Sequence, residues 1–174
     1  MTKPHTRPPV LSTYGVADGA CSLRYSLSKT ERATLDRSLR IVGRVLVDGR
    51  SALDSPGVVR QYLALQLRGE PVEHFSMLLL DSQHRCIVFE CLVTGTINQA
   101  SIYPRQVVRA APRHGAAAVV LVQNHPSGDT TPSRADEALT QSLKAALRTI
   151  DVRVLDHMIV AGGRALSMAG RGML

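Results

Sequence analysis

The chain has 174 residues, a length that suits one domain with a sizeable hydrophobic core. Its formal net charge is +7, because 21 basic residues, mostly arginines, outnumber 14 acidic ones. No apolar run is long enough to cross a bilayer and no signal-peptide pattern follows Met1, so we expect a soluble cytoplasmic protein without a membrane partner. Cys21, Cys86 and Cys91 lack CxxC spacing, which argues against a disulfide framework and against a cysteine zinc site.

The basic charge is compatible with binding to nucleic acid or to an acidic partner through phosphate or carboxylate contacts. The arginines are spread along the chain with few aromatic residues between them, so a solvated arginine-rich surface explains the composition equally well. Nucleic acid bound through a basic surface is therefore one expected partner, and a second copy of the chain is another.

The first 70 residues divide into a tail and a helical segment. Residues 1–25 contain several prolines and glycines without periodicity, which predicts a flexible tail. Residues 26–70 predict an N-terminal helical lead-in of two helices. The first begins at Ser28 and ends near Asp48, and the second begins near Pro56 and ends before Gly69.

Residues 71–174 predict strands that alternate with helices. The apolar runs 75–80 and 85–93 are separated by four polar residues and predict a hairpin. A helix should follow from Pro104 to about Gly115, a strand from Ala116 to Val122, and a second helix from Ser133. Two more strands are predicted at 152–161 and 165–168. The expected fold class is α/β, with a mixed β-sheet sandwiched by helices.

The polar segment after the strand at 116–122 carries the candidate chemistry. Pro126 and Pro132 restrict the loop that contains His125, Gly128 allows it to turn, and Ser133 with Asp136 matches a variant of the helix capping box. One interpretation is a loop histidine and an aspartate favoured by the helix dipole. The other is that the loop brings an imidazole and a carboxylate together as zinc ligands. Glu90 also stands out, because a carboxylate in an apolar strand must be solvated, paired or functional.

Several ordered motifs resemble the RadC family, which belongs to the JAMM (MPN) class of zinc-dependent hydrolases. His125-Pro126, Ser133 and Asp136 follow the spacing of the family motif. Flanking elements are also similar, namely Gly95-Thr96, Tyr103-Pro104-Arg105 and Leu155-Asp156-His157. The resemblance implies that residues 71–174 form a JAMM/MPN domain with a cytidine-deaminase-like fold.

The same resemblance implies zinc-dependent hydrolysis of an amide or isopeptide bond in a peptide or protein substrate. Gln123, His125 and Asp136 occupy the metal-ligand positions, Glu90 that of the general base and acid, and Ser133 that of the oxyanion donor. Gln123 replaces the family's first histidine, and a carboxamide oxygen is a poorer zinc ligand than imidazole.

His157 is one candidate to replace the missing ligand, although a histidine beside an aspartate in a strand is more often structural. The alternative function is a catalytically weak or inactive interaction module that associates with DNA or DNA-processing proteins. The family name is linked to DNA repair, but a nuclease has little support here, because two-metal nucleases need more carboxylates.

Overall fold

The computed structural model describes residues 27–48, 56–95 and 102–174. The predicted tail (1–25) and Thr96 lie outside these ranges. The helices are α1 (Lys29–Asp48), α2 (Pro56–Gln66), α3 (Pro104–Arg113) and α4 (Arg134–Arg148). The strands are β1 (His74–Leu80), β2 (Cys86–Thr94), β3 (Ala118–Asn124), β4 (Arg153–Ala161) and β5 (Arg164–Ser167), followed by a 3-10 turn, Ala169–Arg171.

The two lead-in helices begin and end close to the predicted positions. At the start of α1, the Ser28 backbone N–H donates to Glu31 Oε2 over 2.9 Å, and the Glu31 N–H donates to Ser28 Oγ over 3.3 Å. This reciprocal pair satisfies two backbone donors that a helix start leaves without intrahelical partners.

The five strands form one mixed sheet in the order β2-β1-β3-β4-β5. β1 runs antiparallel to both β2 and β3, β3 runs parallel to β4, and β4 is antiparallel to β5. The predicted α/β class with a mixed sheet is confirmed. The crossover from β2 through α3 to β3 joins parallel strands, and β1 lies between them.

Helices cover both faces of the sheet, because the central strands are apolar on both sides. On one face, side chains of α3 and α4 pack on alternate residues of β1 and β3, and this core includes Phe75, Met77, Leu121, Leu139 and Leu143. On the other face, Val59, Tyr62, Leu63 and Leu67, from α2 and the residue that follows it, pack on residues of opposite alternation such as Leu78 and Val120. No helix in the described ranges has the length and apolar character needed to span a membrane.

Gln123 and His125, both singled out in the sequence, lie at the edge of the sheet formed by the ends of β2 and β3 and the start of β1. Because β1 is antiparallel to its neighbours, its first residues pair with the last residues of β2 and β3. His74 lies opposite Thr94, and Phe75 lies opposite Gln123. The loop that leads to α4 leaves from this same edge, so it is the place where strand ends, a helix start and a loop meet.

Candidate functional site

The last two residues of β3 are buried polar residues. Asn124 forms two hydrogen bonds with the backbone at the start of β1. Its Oδ1 accepts from the His74 backbone N–H over 2.7 Å, and its Nδ2 donates to the Val72 carbonyl over 2.9 Å. Gln123, which is only 3% exposed, lies opposite Phe75 in the register of the sheet. The two side chains alternate across the sheet, and Gln123 contacts the start of α4.

The loop after β3 orients the imidazole of His125. The backbone N–H of His125 donates to the Val160 carbonyl over 2.8 Å, which continues the pairing with β4 by one residue. Its Nδ1 lies 2.9 Å from the Asp129 carbonyl oxygen, and a carbonyl only accepts, so Nδ1 carries the proton. In the neutral imidazole, Nε2 then presents a lone pair. Gly128, with φ +86°, supplies the left-handed turn that allows the loop to fold back.

Ser133 and Asp136 form the predicted capping box at the start of α4. Ser133 Oγ accepts from the Asp136 backbone N–H over 3.1 Å, and Asp136 Oδ2 accepts from the Ser133 backbone N–H over 2.7 Å. The Ser133 hydroxyl also donates to Asp136 Oδ2 over 2.7 Å. Its proton is thus directed at Asp136, while its role as an oxyanion donor stays a prediction.

Gln123 joins these two parts of the site. The Nε2 atom of His125 lies 3.6 Å from Asp136 Oδ2, and Gln123 Nε2 lies 2.8 Å from His125 Nε2. Gln123 Nε2 also donates to Asp136 Oδ1. A carboxamide has two N–H groups, so one donates to the imidazole and the other to the carboxylate. The opposite amide orientation would place Gln123 Oε1 against the carboxylate, which is electrostatically unfavourable.

The carboxyl of Asp136 stays ionised in this setting. Burial opposes its ionisation, but hydrogen bonds from the Ser133 side chain, from Gln123 and from the Ser133 backbone outweigh that cost. Together with the nearby His125, these bonds hold the pKa of Asp136 below its ordinary value. The carboxylate is therefore a fixed negative charge whose two oxygens both accept hydrogen bonds within the chain.

These residues do not fit a zinc ion. A catalytic zinc site takes three good protein ligands and a water, whereas His125 and Asp136 supply two. Gln123 turns its N–H groups toward both of them, and a donor N–H cannot coordinate a cation. Gln123 Oε1 is buried, and no described residue bonds to it. Within the described ranges, no group of three His, Cys, Asp or Glu side chains could hold a metal.

His157 does not replace the missing ligand in this arrangement. It is fully buried on β4, its Nδ1 lies 2.6 Å from Thr140 Oγ1, and its ring packs edge-on against Phe75 at a centroid distance of 5.9 Å. Burial lowers the pKa of His157 to about 4, so the imidazole is neutral at pH 7. Among the described residues, nothing bonds to its Nε2. Thr140 in turn donates to the Asp136 carbonyl over 2.6 Å, so His157 supports the first turns of α4.

The hydrogen-bonded set of Gln123, His125, Ser133 and Asp136 is here called the Gln123 network, and Glu90 lies apart from it. Its Oε2 bonds to His114 Nε2 over 2.9 Å, and its Oε1 lies 4.0 Å from an Arg113 guanidinium nitrogen. In the described part of the chain, no hydrogen bond or ion pair joins Glu90 to Gln123, His125 or Asp136. His114, which follows α3, thus supplies the partner that a carboxylate in an apolar strand requires. Proton handling by Glu90 stays a prediction.

The arrangement of arginines on α3 was missed because they look scattered in the sequence. On α3, Arg105, Arg109 and Arg113 are all exposed and recur every four residues, while Val107, Ala110 and Ala111 are buried. Residues four apart lie on the same side of a helix, so the three guanidinium groups share one exposed side, here called the arginine face. Tyr103, 47% exposed, lies at its start, with the Arg105 guanidinium 4.6 Å from its ring centroid.

Comparisons with known proteins agree with the motifs and the fold. The family described as RadC-like JAB domain matches residues 53–173. A UPF0758 protein of Variovorax paradoxus is 54% identical over 147 residues, covering 83% of this chain and 65% of the relative. A UPF0758 protein of Methylibium petroleiphilum is 53% identical over 151 residues, covering 85% of this chain and 68% of the relative.

A UPF0758 protein of Acidovorax sp. (strain JS42) is 54% identical over 151 residues, 85% of this chain and 63% of the relative. The chain thus spans 63 to 68% of the length of these relatives. The matched segment includes α2, the whole sheet and the loop with His125 and Asp136. The chain therefore belongs to the RadC family and carries its JAB-type domain.

Proposed function

We propose that this chain is a RadC-like JAB domain that binds nucleic acid through the arginine face of α3 and does not act as a zinc hydrolase. The observation that carries the proposal is the arrangement of three exposed arginines on one side of a helix, with an exposed tyrosine at its start.

The first support is the closure of the family site by Gln123. Both oxygens of Asp136 and the Nε2 lone pair of His125 already take part in hydrogen bonds within the chain. A ligand that entered there would have to break these bonds, and leaving a buried polar group unpaired costs about 1–3 kcal/mol. The site holds the loop against the start of α4, and it offers no third good ligand for a metal.

The second support is the geometry of α3. Four residues of α-helix rise about 6 Å, so the guanidinium groups form a regular row. Guanidinium groups bind phosphate oxygens through paired hydrogen bonds, and a row of them suits the repeating charge of a nucleic-acid backbone. The exposed ring of Tyr103 adds an aromatic surface on which an unpaired base can stack. Arg105 and Arg113 have only weak partners in Tyr103 and Glu90, so their charges stay exposed.

Salt dependence of DNA binding tests the proposal. Affinity for a labelled duplex is measured between about 50 and 200 mM salt for the native chain and for Arg105→Gln/Arg109→Gln. Each lost phosphate contact should reduce the slope of log affinity against log salt by about 0.9, so the double variant should lose about 1.8. A labelled single strand, with a slope near 0.7 per contact, shows whether the Tyr103 ring favours unpaired bases.

Arg164→Gln/Arg171→Gln is the matched control, because it removes the same charge from exposed residues in β5 and the turn that follows. The control should keep the native slope. Equal losses in the two double variants would mean that only net charge matters, and a flat salt dependence of the native chain would remove the electrostatic basis of the proposal.

Hydrolysis of an amide or isopeptide bond in a peptide or protein is the second candidate. Its support is that His125 lies beside Asp136, with Ser133 on the same carboxylate, as the family motif implies. Any peptidase activity of the native chain should disappear in Glu90→Gln while the fold is kept. Since the resident side chains supply only two good ligands, we rank this candidate below nucleic-acid binding.

A further inference from the structure

A second cluster of reactive side chains lies near the start of β1, separate from the Gln123 network. The Sγ atom of Cys91 lies 3.6 Å from His74 Nδ1, and His74 Nε2 lies 3.4 Å from Glu70 Oε2. Thr94 Oγ1 lies 3.1 Å from the same Nδ1 and 3.6 Å from Sγ. Cys91 is exposed, whereas the side chains of His74 and Glu70 are 17% and 14% exposed.

The hairpin register builds this cluster. A register shift between Phe75 and Ser76 sets Ser76 opposite Cys91, while His74 lies opposite Thr94. The bond from the His74 backbone N–H to Asn124 Oδ1 fixes the histidine at the start of β1. Glu70 follows α2 and approaches the imidazole from the other side. Thiol, imidazole and carboxylate therefore stand in a row, each oriented by a different element.

The electrostatics of the row favour a thiolate. The contact with Cys91, then that with Glu70, raises the pKa of His74 to about 9 against the effect of burial. The contact with His74 is the largest cause that lowers the pKa of Cys91, to about 7. Burial instead raises the pKa of Cys86, on the same strand, to about 11. Two thiols five residues apart thus differ in reactivity, because the thiolate is the nucleophile.

We propose that Cys91, His74 and Glu70 form a nucleophilic site at which Cys91 takes part in thiol–disulfide exchange with low-molecular-weight disulfides. His74 is the base that holds the thiol proton, and Glu70 orients and stabilises the imidazolium, in the manner of other nucleophile, base and carboxylate sets. The site is independent of nucleic-acid binding by α3, so either proposal can fail without the other.

The small disulfide is itself the oxidant in this exchange. The Cys91 thiolate attacks one sulfur of the small disulfide, a new S–S bond forms, and the old S–S bond breaks. Cys91 is oxidised, the departing thiol is reduced, and the proton held on His74 neutralises the leaving thiolate. No further oxidant is required.

Geometry favours an external disulfide over an internal one. Cys86 and Cys91 are five residues apart on one extended strand, or roughly 16 Å, and a disulfide requires Cα atoms within about 7 Å. No other cysteine occurs in the described ranges, and Cys21 lies outside them. Exchange also requires only that the partner reach the exposed sulfur, with no oxyanion-binding group.

Reaction with oxidised glutathione, followed as a function of pH, tests the site in the full chain. Proteolysis after Glu90 separates Cys86 from Cys91, so mass spectrometry reports each thiol on its own peptide. The mixed disulfide should form on Cys91 with a pH midpoint near 7, while Cys86 stays reduced. Cys91→Ser removes the product and serves as the control.

His74→Ala gives the sharper readout. Without the imidazole the midpoint should move toward the ordinary thiol pKa, near 9. The thiolate fraction at pH 7 then falls about 50-fold, but higher intrinsic nucleophilicity recovers much of this, so the rate should fall about six-fold. Above about pH 8 the order should reverse, with the variant faster, which loss of structure alone would not produce. Glu70→Gln, a gentler change, should move the midpoint in the same direction by less.

A native midpoint near 9 would overturn the proposal whatever the variants do. It would also be overturned if glutathione were found on Cys86 in place of Cys91, or if both variants kept the native midpoint.

Discussion

The polar groups at the end of β3 are buried and paired, whereas those on the exposed side of α3 face solvent. At the end of β3, Gln123, His125 and Asp136 are largely buried and bond to one another. On α3, Arg105, Arg109 and Arg113 face solvent with weak partners or none in the described structure. The first region carries the family motif and has few groups left for an outside ligand. The second carries no motif and presents three cations.

The difference separates a stabilising region from a binding region. Bonds within the Gln123 network contribute to folding, because breaking them leaves buried polar groups without partners. Exposed arginines contribute little to folding, because surface charges are well solvated. Substitutions in the network should therefore change stability without changing DNA affinity, and substitutions on the arginine face should do the reverse.

The largest stability effect should come from Asp136→Ala. The change leaves the Ser133 backbone N–H and Gln123 Nε2 without their acceptor and removes a negative charge from the start of α4. We expect a loss of about 4 kcal/mol in the free energy of unfolding, measured by denaturant titration. Glu137→Ala, an exposed acidic residue in the same turn, should cost less than 1 kcal/mol. If Asp136→Ala is still folded, a drop in its DNA affinity would contradict the assignment of stability to one region and of DNA binding to the other.

Acid should weaken the buried region through His157. Its pKa is about 4 when folded and near 6.5 when unfolded, so the unfolded chain binds more protons between these values. Stability should therefore fall as pH drops from 6.5 to 4, by about 3 kcal/mol from this group. Unfolding of His157→Gln should be less sensitive to pH across that window than unfolding of the native chain. Identical profiles for the native chain and His157→Gln would contradict this assignment.

A smaller contrast is expected between the two helix caps. Ser133→Ala removes a bond to a buried carboxylate, whereas Ser28→Ala alters an exposed capping box. We expect losses of about 1.5 and about 0.5 kcal/mol respectively, from thermal or denaturant unfolding. Equal losses would show that the Gln123 network adds nothing to the cap at Ser133.

Much of the fold was predictable, because its signals are local. The capping residues at Ser28 and Ser133, the polar turn between β1 and β2, and the apolar runs fix most element boundaries to within about two residues. The contact between His125 and Asp136 follows from a short loop between a strand end and a helix start. These signals do not depend on how distant segments pack.

Other features depend on the assembled sheet and could not be read from the sequence. The sequence shows glutamine at position 123, where the family has histidine. It does not show that the amide N–H groups of Gln123 turn toward both His125 and Asp136. A role for His74 and Cys91 could not be predicted, because their contact depends on the shift in strand register. The four-residue spacing of the arginines in α3 was readable, but their shared exposure follows only once the buried side of the helix is known.

Zinc content of the purified, untagged chain tests the central claim most directly, measured beside Gln123→His and Gln123→His/His125→Ala. We expect far less than one zinc per native chain, nearly one in Gln123→His, and loss again in the double variant, because histidine at 123 would complete three good ligands. Nearly one zinc per native chain, lost in His125→Ala, would contradict the claim that Gln123 closes the site. Such a result would instead favour zinc-dependent hydrolysis as the function.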